Sequence, residues 1–157
     1  MRVSVQEADF DVGAETEALA AGRPEVGAVA SFVGYVRADK LAGESAADQA
    51  VSAMTLEHYP GMTEKSLEAI VAEAESRWSL LGVRVIHRFG RLVPGDRIVF
   101  VGVAGSHRGE AFAACEFIMD YLKTRAPFWK KEDTPEGGRW VDAREADDAA
   151  AEKWGQA

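Results

Sequence analysis

The fold class follows from one stretch, residues 82–127, which reads GVRVIHRFGRLVPGDRIVFVGVAGSHRGEAFAACEFIMDYLKTRAP. Residues 82–92 and 97–105 are rich in β-branched side chains and are predicted to form two strands. The Pro-Gly-Asp sequence between them, residues 94–96, is typical of a hairpin turn. The following apolar residues recur at helical spacing, which predicts a helix that Pro127 ends. Its predicted apolar face consists of Ala111, Phe112, Cys115, Ile118, Met119 and Leu122.

The N-terminal part is predicted to contribute a strand, a helix and a second strand. Residues 2–6 alternate as a short strand, and residues 12–21 form a short helix closed by Gly22. Residues 26–37 are small and β-branched, which predicts a buried strand. Gly34 within it marks a place where backbone or ligand approaches closely.

The middle of the chain is predicted to hold a loop, a strand and a helix. Residues 38–50, ADKLAGESAADQA, have no hydrophobic period and are predicted to form a mobile loop. Residues 51–59 alternate as a strand, and Pro60-Gly61 turns the chain. A helix of about four turns follows. Its predicted apolar face is Met62, Leu67, Ile70, Val71, Ala74 and Trp78.

These elements predict an α+β domain with a largely antiparallel or mixed sheet, because strands pair through hairpins rather than regular βαβ units. The tail FWKKEDTPEGGRWVDAR, residues 128–144, has a turn-rich centre at 134–138 and predicts a last hairpin. A chain of 157 residues suits one domain, since about 150 residues bury about 70% of the unfolded surface. We therefore expect a single domain over residues 1–157, with its C-terminal hairpin and tail at about 127–157.

Composition and charge exclude several classes of protein. The net charge of −8 argues against general nucleic-acid binding. No apolar run approaches the ~20 residues that cross a bilayer, and the N-terminus lacks the layout of a signal peptide, so we expect a cytoplasmic protein. The single cysteine, Cys115, cannot form an internal disulfide, and three scattered histidines offer no metal-ligand cluster.

A basic segment stands out in this acidic chain. Residues 120–131 carry four basic side chains against one acidic one, a local net charge of +3. Lys123 lies at the border of the apolar stripe, and Lys130, Lys131 and Glu132 follow the aromatic pair Phe128-Trp129 and can face back toward it. Lysines beside aromatic rings suit acid–base chemistry on a small anion, and Trp129 can line its pocket. The alternative is solvated lysines at a helix C-terminus, where the dipole favours them.

Further candidates are cationic residues at turns. Ser106 is predicted to cap the helix, with His107 and Arg108 in its first turn, where backbone N–H groups attract anions. A surface arginine explains Arg108 equally well. Arg37, at the end of the Gly34 strand, is a third candidate that indicates little by itself. His58 and His87 are interpreted as packed or hydrogen-bonded strand residues. Cys115 is interpreted as an inert core thiol.

Three segments carry a resemblance to a known family. They are TLEHYPGMTEKSL (55–67), VIHRFGRLVPGDRIVFVGVAGSHRGEAF (85–112) and FIMDYLKTRAPFWKKEDTPEGGRWVDAR (117–144). The chain resembles, over residues 26–154, the family of large, catalytic subunits of molybdopterin synthase. Its loop at 38–50 looks longer than is usual in that family.

The resemblance implies a fold and partners. It implies an α/β hammerhead fold with an additional antiparallel β sub-domain, assembled as a homodimer. A small ubiquitin-like sulfur-carrier subunit binds at each end, giving a heterotetramer, and threads its C-terminal Gly-Gly thiocarboxylate into the large subunit. Sulfur passes twice to cyclic pyranopterin monophosphate to form the dithiolene of molybdopterin. We expect neither a metal nor another cofactor, and neither nucleic acid nor a membrane as partner.

The resemblance also implies site residues. Lys123 and Lys130 match the family's catalytic lysines. Arg144 matches a further position near the pocket, supplied across the dimer. The substrate-binding positions are Tyr35, Val36, Arg37, His107, Arg108, Lys131, Glu132 and Arg144.

Two other functions remain open from the sequence. In the first, Lys123 or Lys130 forms a Schiff base with a different phosphorylated carbonyl compound. In the second, the chain is a non-catalytic module whose basic groove docks the carboxylate of a ubiquitin-like tail. Borohydride trapping tests the first, and turnover by lysine variants that still bind the partner tests the second.

Overall fold

The computed structural model describes residues 2–38, 53–134, 137–141 and 145–155. Within these ranges it has eight strands and four helices. Most of the predicted loop at 38–50 lies outside the described residues, as does Arg144. The elements are β1 (Val3–Gln6), α1 (Val12–Ala20), β2 (Ala28–Tyr35), β3 (Ala53–His58), α2 (Met62–Arg77), β4 (Leu80–Arg88), β5 (Gly90–Leu92), β6 (Arg97–Gly105), α3 (Arg108–Arg125), β7 (Phe128–Thr134), β8 (Gly137–Val141) and α4 (Glu145–Gly155).

The first sheet is mixed, with strand order β1-β4-β6-β2. β1 runs parallel to β4, whereas β6 is antiparallel to both β4 and β2. β2 was predicted to be a buried strand, and this is wrong: it lies at the edge of the sheet, and Ala30 is its one buried side chain. Its small residues serve close packing instead, since a Cβ on Gly34 would lie 2.8 Å from Cγ1 of Val99.

α2 and α3 pack on one face of this sheet, and α1 packs on the other. Alternate residues of β6, Val99, Val101 and Val103, belong to the main core with α2 and α3. Phe100, between them, faces the other way and packs with Phe10 and Ile86. This alternation is the two-residue period of a strand buried on both sides.

The second sheet is antiparallel, with order β5-β3-β7-β8, and it encloses its own small core of Val36, Met54, Leu56 and Leu92. Residues 82–92 were predicted as one strand, but the chain breaks at Phe89 and Gly90, where φ is +90°. β4 therefore stays in the first sheet and β5 joins the second. The predicted C-terminal hairpin is confirmed as β7 and β8. The fold is α+β, as expected, with the antiparallel sub-domain that the resemblance implied.

Two predicted helix faces need correction, and one helix was missed. Phe112 is 65% and Met62 51% exposed, although both were assigned to apolar faces. α4 was not predicted, because its sequence EADDAAAEKWG carries a single large apolar side chain. That side chain, Trp154, packs edge-on against Trp78 and Phe117. None of the helices in the described ranges is long and apolar enough to cross a membrane.

Candidate active site

The end of β2 and the end of α3 lie toward the same end of the first sheet. Tyr35 pairs with Arg97 and His87 pairs with Val99, so both strands reach the N-terminal end of β6. α3 runs back along the sheet from the other end of β6, and the charge of Lys123 acts on His87. The chain then turns through Ala126 and Pro127 into the second sheet. The predicted site residues at the end of β2 and in the last turn of α3 therefore lie toward this end of the sheet.

Lys123 lies in the last turn of α3 and is exposed. Its neighbours Met119 and Leu122 are buried in the main core. The ammonium group therefore emerges beside the core, as the helical spacing predicted. Arg125, which the sequence placed in the same basic segment, is engaged elsewhere: it bonds Glu73 at 3.2 Å and lies over the ring of Tyr121.

Lys130 lies in the second sheet. In β7 it pairs with Leu56 of β3 and is half-buried. Phe128 lies two residues before Lys130, on the same face of β7, and pairs with His58 of β3.

The adjacent lysine points the other way. Lys131 pairs with Thr55 and lies on the opposite face of β7 from Lys130, together with Trp129. The sequence suggested that both lysines could face Lys123, but strand alternation allows only one of them to do so. The backbone of Glu132 pairs with Met54, and its side chain lies outside the described ones.

A buried histidine of β4, His87, contacts the first residue of β7. The ring of His87 is 5% exposed and stacks on Phe128 with centroids 3.8 Å apart and planes at 20°. Its Nδ1 lies 2.8 Å from the carbonyl oxygen of Arg88, and it carries the proton because a carbonyl only accepts. The pKa of His87 is lowered to about 4, mainly by burial and to a smaller extent by the charges of Lys123 and His58.

His58 holds the other side of the same aromatic cluster. Its ring lies 4.4 Å from that of Phe89 and 6.2 Å from that of Phe128. Its Nδ1 lies 3.2 Å from the hydroxyl of Thr63, which donates to the carbonyl of Tyr59. The interpretation of both histidines as packed, hydrogen-bonded strand residues is confirmed. Their common contact with Phe128 was missed, because no local pattern links residues so far apart in sequence.

The β2 end supplies Tyr35, Val36 and Arg37. Tyr35 is 52% exposed and Val36 is buried in the small second core. The backbone of Val36 bonds Asp96 and Gly95 of the 93–96 turn at 2.9 Å each. Arg37 is exposed and follows directly from this anchored position.

His107 and Arg108 lie at the opposite end of α3. Arg108 precedes Lys123 by fifteen residues, which at 1.5 Å each is about 22 Å along the helix. Ser106 was predicted to cap the helix, but the N-cap is His107 and no side chain caps it. Within one chain, therefore, the His107–Arg108 pair lies at the far end of α3 from Lys123, whose charge acts on His87, the ring on which Phe128 of β7 stacks.

A groove elsewhere on the fold is not suited to bind an anion. An open groove of about 510 Å³ is lined by residues 9–13 and Arg97, but Asp9 already binds the guanidinium of Arg97 at 2.7 Å.

Cys115 is buried, and burial raises the pKa of its thiol to about 11, which confirms it as an unreactive core residue. Among the described residues, no three His, Cys, Asp or Glu side chains are grouped to hold a metal ion.

Comparison with known proteins places this geometry in a family. Residues 5–125 match the model of the MoaE protein family. The chain is 63% identical over 153 residues to a molybdopterin synthase catalytic subunit from Ralstonia nicotianae, covering 98% of this chain and 84% of that protein. It is 58% identical to the corresponding protein of Pseudomonas aeruginosa, covering 98% and 99%.

A solved structure has the same fold. The molybdopterin biosynthesis MoaE protein of Burkholderia ambifaria superposes with a TM-score of 0.80 at 57% identity, covering 98% of this chain and 97% of that one. The family model includes both Arg37 and Lys123 and ends at residue 125, whereas the structural superposition covers 98% of this chain. The chain therefore belongs to the MoaE protein family.

Proposed function

We propose that this chain is the catalytic subunit of a molybdopterin synthase and transfers sulfur to cyclic pyranopterin monophosphate. Two relatives named molybdopterin synthase catalytic subunit match this chain over 84% and 99% of their own lengths. The role of this chain therefore lies in molybdopterin biosynthesis. One observation carries the assignment of the site. The charge of Lys123 acts on His87, and Phe128, which stacks on His87, lies two residues before Lys130 on the same face of β7.

The proposed reaction uses a nucleophile that another protein brings. The thiocarboxylate sulfur of a small ubiquitin-like subunit attacks a carbon of the pterin side chain. A C–S bond forms as the C–O bond to the same carbon breaks, and the oxygen takes up a proton and leaves as water or remains on the phosphate. The product is a covalent link between partner and substrate. Water then cleaves the acyl–sulfur bond, so the small subunit leaves with a carboxylate and the sulfur stays on the pterin. A second transfer completes the dithiolene.

This chain need only position the reactants and move protons. We assign Arg37 the role of holding an anionic substrate, and Lys123 and Lys130 the roles of stabilising negative charge and transferring protons. The thiol of Cys115 is buried and its raised pKa keeps it protonated, so it supplies no competing nucleophile.

A homodimer completes the proposed site. His107 and Arg108 match the family's substrate positions but lie about 22 Å along α3 from Lys123. A second copy can bring its own His107 and Arg108 to the first copy's lysines, and Arg144 is proposed to come across the dimer in the same way. With one small subunit at each end the assembly is a heterotetramer.

Tyr35, Val36, Lys131 and Glu132 are proposed to complete the substrate pocket. We further propose that residues 1–157 form one domain, with the second sheet as a sub-domain, and that the protein acts in the cytoplasm.

Reconstitution tests the function. Purified chain, thiocarboxylated small subunit and cyclic pyranopterin monophosphate are mixed, and dithiolene-bearing product is measured for wild type, Lys123→Ala and Lys130→Ala. We expect the lysine variants to lose at least about a hundredfold in kcat, the lower range for acid–base groups. Lys65→Ala, at an exposed lysine of α2, is the matched control and should keep the wild-type rate.

The outcomes separate the alternatives. Partner binding without product in wild type would favour a non-catalytic docking module. A borohydride-stable adduct with a carbonyl substrate would favour Schiff-base chemistry. Wild-type turnover by both lysine variants would refute the assignment of the site while leaving the family intact.

A further inference from the structure

The pair of stacked rings, His87 and Phe128, joins the first sheet, on which the helix of Lys123 packs, to β7, which carries Lys130. His87 belongs to β4 in the first sheet, and Phe128 is the first residue of β7 in the second. We propose that His87 is a positioning residue, whose ring anchors Phe128 and thereby fixes the strand of Lys130 relative to Lys123. This inference rests on the proposed function of the two lysines.

The stack is well suited to act as an anchor. The rings are nearly parallel, at 20°, and their centroids are 3.8 Å apart, the spacing of full ring contact. His87 cannot turn away easily, because its Nδ1–H bonds the carbonyl of Arg88 at 2.8 Å and its ring is 5% exposed. A buried, hydrogen-bonded ring presents a fixed surface to its neighbour.

The anchored residue controls the position of Lys130. Phe128 and Lys130 lie on the same face of β7, two residues apart, opposite His58 and Leu56. Only a short turn separates Phe128 from the end of α3, with its amide bonded to the carbonyl of Ala126 at 2.9 Å. A shift of Phe128 therefore moves the start of β7, and with it Lys130, relative to the helix that holds Lys123.

The other neighbours of Phe128 do not replace His87. His58 lies farther away, at 6.2 Å and 40°, and its ring is closer to Phe89 than to Phe128. His58 is also tied to Thr63 at the start of α2 rather than to the first sheet. His87 alone among these contacts connects Phe128 to the sheet on which α3 packs.

The chemical form of His87 suits this position. Burial lowers its pKa to about 4, so the imidazole stays neutral near neutral pH. A neutral ring adds no positive charge beside Lys123. It can therefore lie close to the cationic site without opposing it.

Steady-state kinetics of the reconstituted enzyme test the proposal. His87→Ala removes the ring, whereas His87→Phe keeps a flat ring and loses only the hydrogen bond. We expect His87→Ala to lower kcat by at least about tenfold, because misplacement by about 1 Å can cost a hundredfold. KM for cyclic pyranopterin monophosphate and Kd of the small subunit should stay within about twofold, and His87→Phe should keep kcat within about threefold.

A matched control separates positioning from general stability. Val83→Ala also removes a buried side chain from β4, four residues before His87. It should lower the Tm yet leave kcat near wild type. If His87→Ala does not fold, Phe128→Leu removes the stack from the other side and is expected to slow turnover similarly.

Three results would overturn the proposal. Wild-type kcat in His87→Ala or Phe128→Leu would show that the stack does not matter. An equal loss in His87→Phe and His87→Ala would assign the effect to the imidazole nitrogens instead. An equal loss in Val83→Ala would assign it to instability. Any of these with inactive Lys123→Ala and Lys130→Ala leaves the proposed function standing, whereas an inactive wild type refutes that function itself.

Discussion

Acidification is expected to destabilise this protein through His87. The folded protein binds a proton there only near pH 4, because the ring is buried, whereas the unfolded chain binds it near the ordinary histidine pKa of 6.5. Between these values the unfolded state carries more protons, so the free energy of unfolding rises with pH. The contribution of His87 is therefore fully present above about pH 6.5 and is lost as the pH falls toward about 4.

The magnitude follows from the two pKa values. The difference between 6.5 and about 4 corresponds to about 3 kcal/mol once both states are protonated. At about pH 4.5, where the folded state is still mostly unprotonated, the expected loss is about 2.5 kcal/mol relative to about pH 7.5. The side chain is 5% exposed, so solvent screens little of this effect.

Urea denaturation followed by tryptophan fluorescence measures this loss. Wild type and His87→Phe are unfolded at about pH 7.5 and about pH 4.5, and the loss of stability is compared. Carboxylates such as Asp9, whose pKa Arg97 lowers, contribute equally to both proteins and cancel. The loss should be about 2.5 kcal/mol smaller in His87→Phe. Equal losses in the two proteins would refute the reasoning, since His87 would then be neither buried nor neutral in the folded protein.

Three further outcomes follow from the core and the turns. Cys115→Ala should keep turnover within about twofold, and it should remove the loss of stability that this thiol causes between about pH 9 and 11, where the unfolded thiol ionises first. Gly27→Ala should lower the unfolding free energy by about 1–3 kcal/mol, measured by urea denaturation. Its Cβ would lie 2.1 Å from the carbonyl oxygen of Ser106, whereas Gly109→Ala meets nothing within 4 Å and should be tolerated. Trp154→Ala should cost about 2–4 kcal/mol, since it empties the packing of α4 on the main core, and an unchanged Tm would contradict that packing.

The sequence predicted elements whose signal is local. α1, β6 and α3 follow their patterns closely, because helical spacing or a β-branched run bounded by Gly and Pro depends on neighbours only. The last hairpin followed from its turn-rich centre. The sequence also provided the two lysines, through a motif specific enough to indicate the family by itself.

Tertiary packing decided what local patterns cannot express. β2 has the composition of a buried strand, but in the first sheet no strand covers its outer side, so it became an edge. Phe112 fits the spacing of the apolar face, yet lies where the core ends. α4 forms because Trp154 finds two aromatic rings of the core to pack on, which its own sequence does not reveal.

The sequence by itself determined which residues are available to the candidate site, the lysines and the arginines, and it predicted that Cys115 belongs to the core. Only the tertiary structure decided their arrangement. The length of α3 separates Arg108 from Lys123, and strand alternation separates Lys130 from Lys131. The stack of His87 on Phe128 joins positions forty-one residues apart, and such a contact depends on how two sheets meet rather than on any periodicity in the chain.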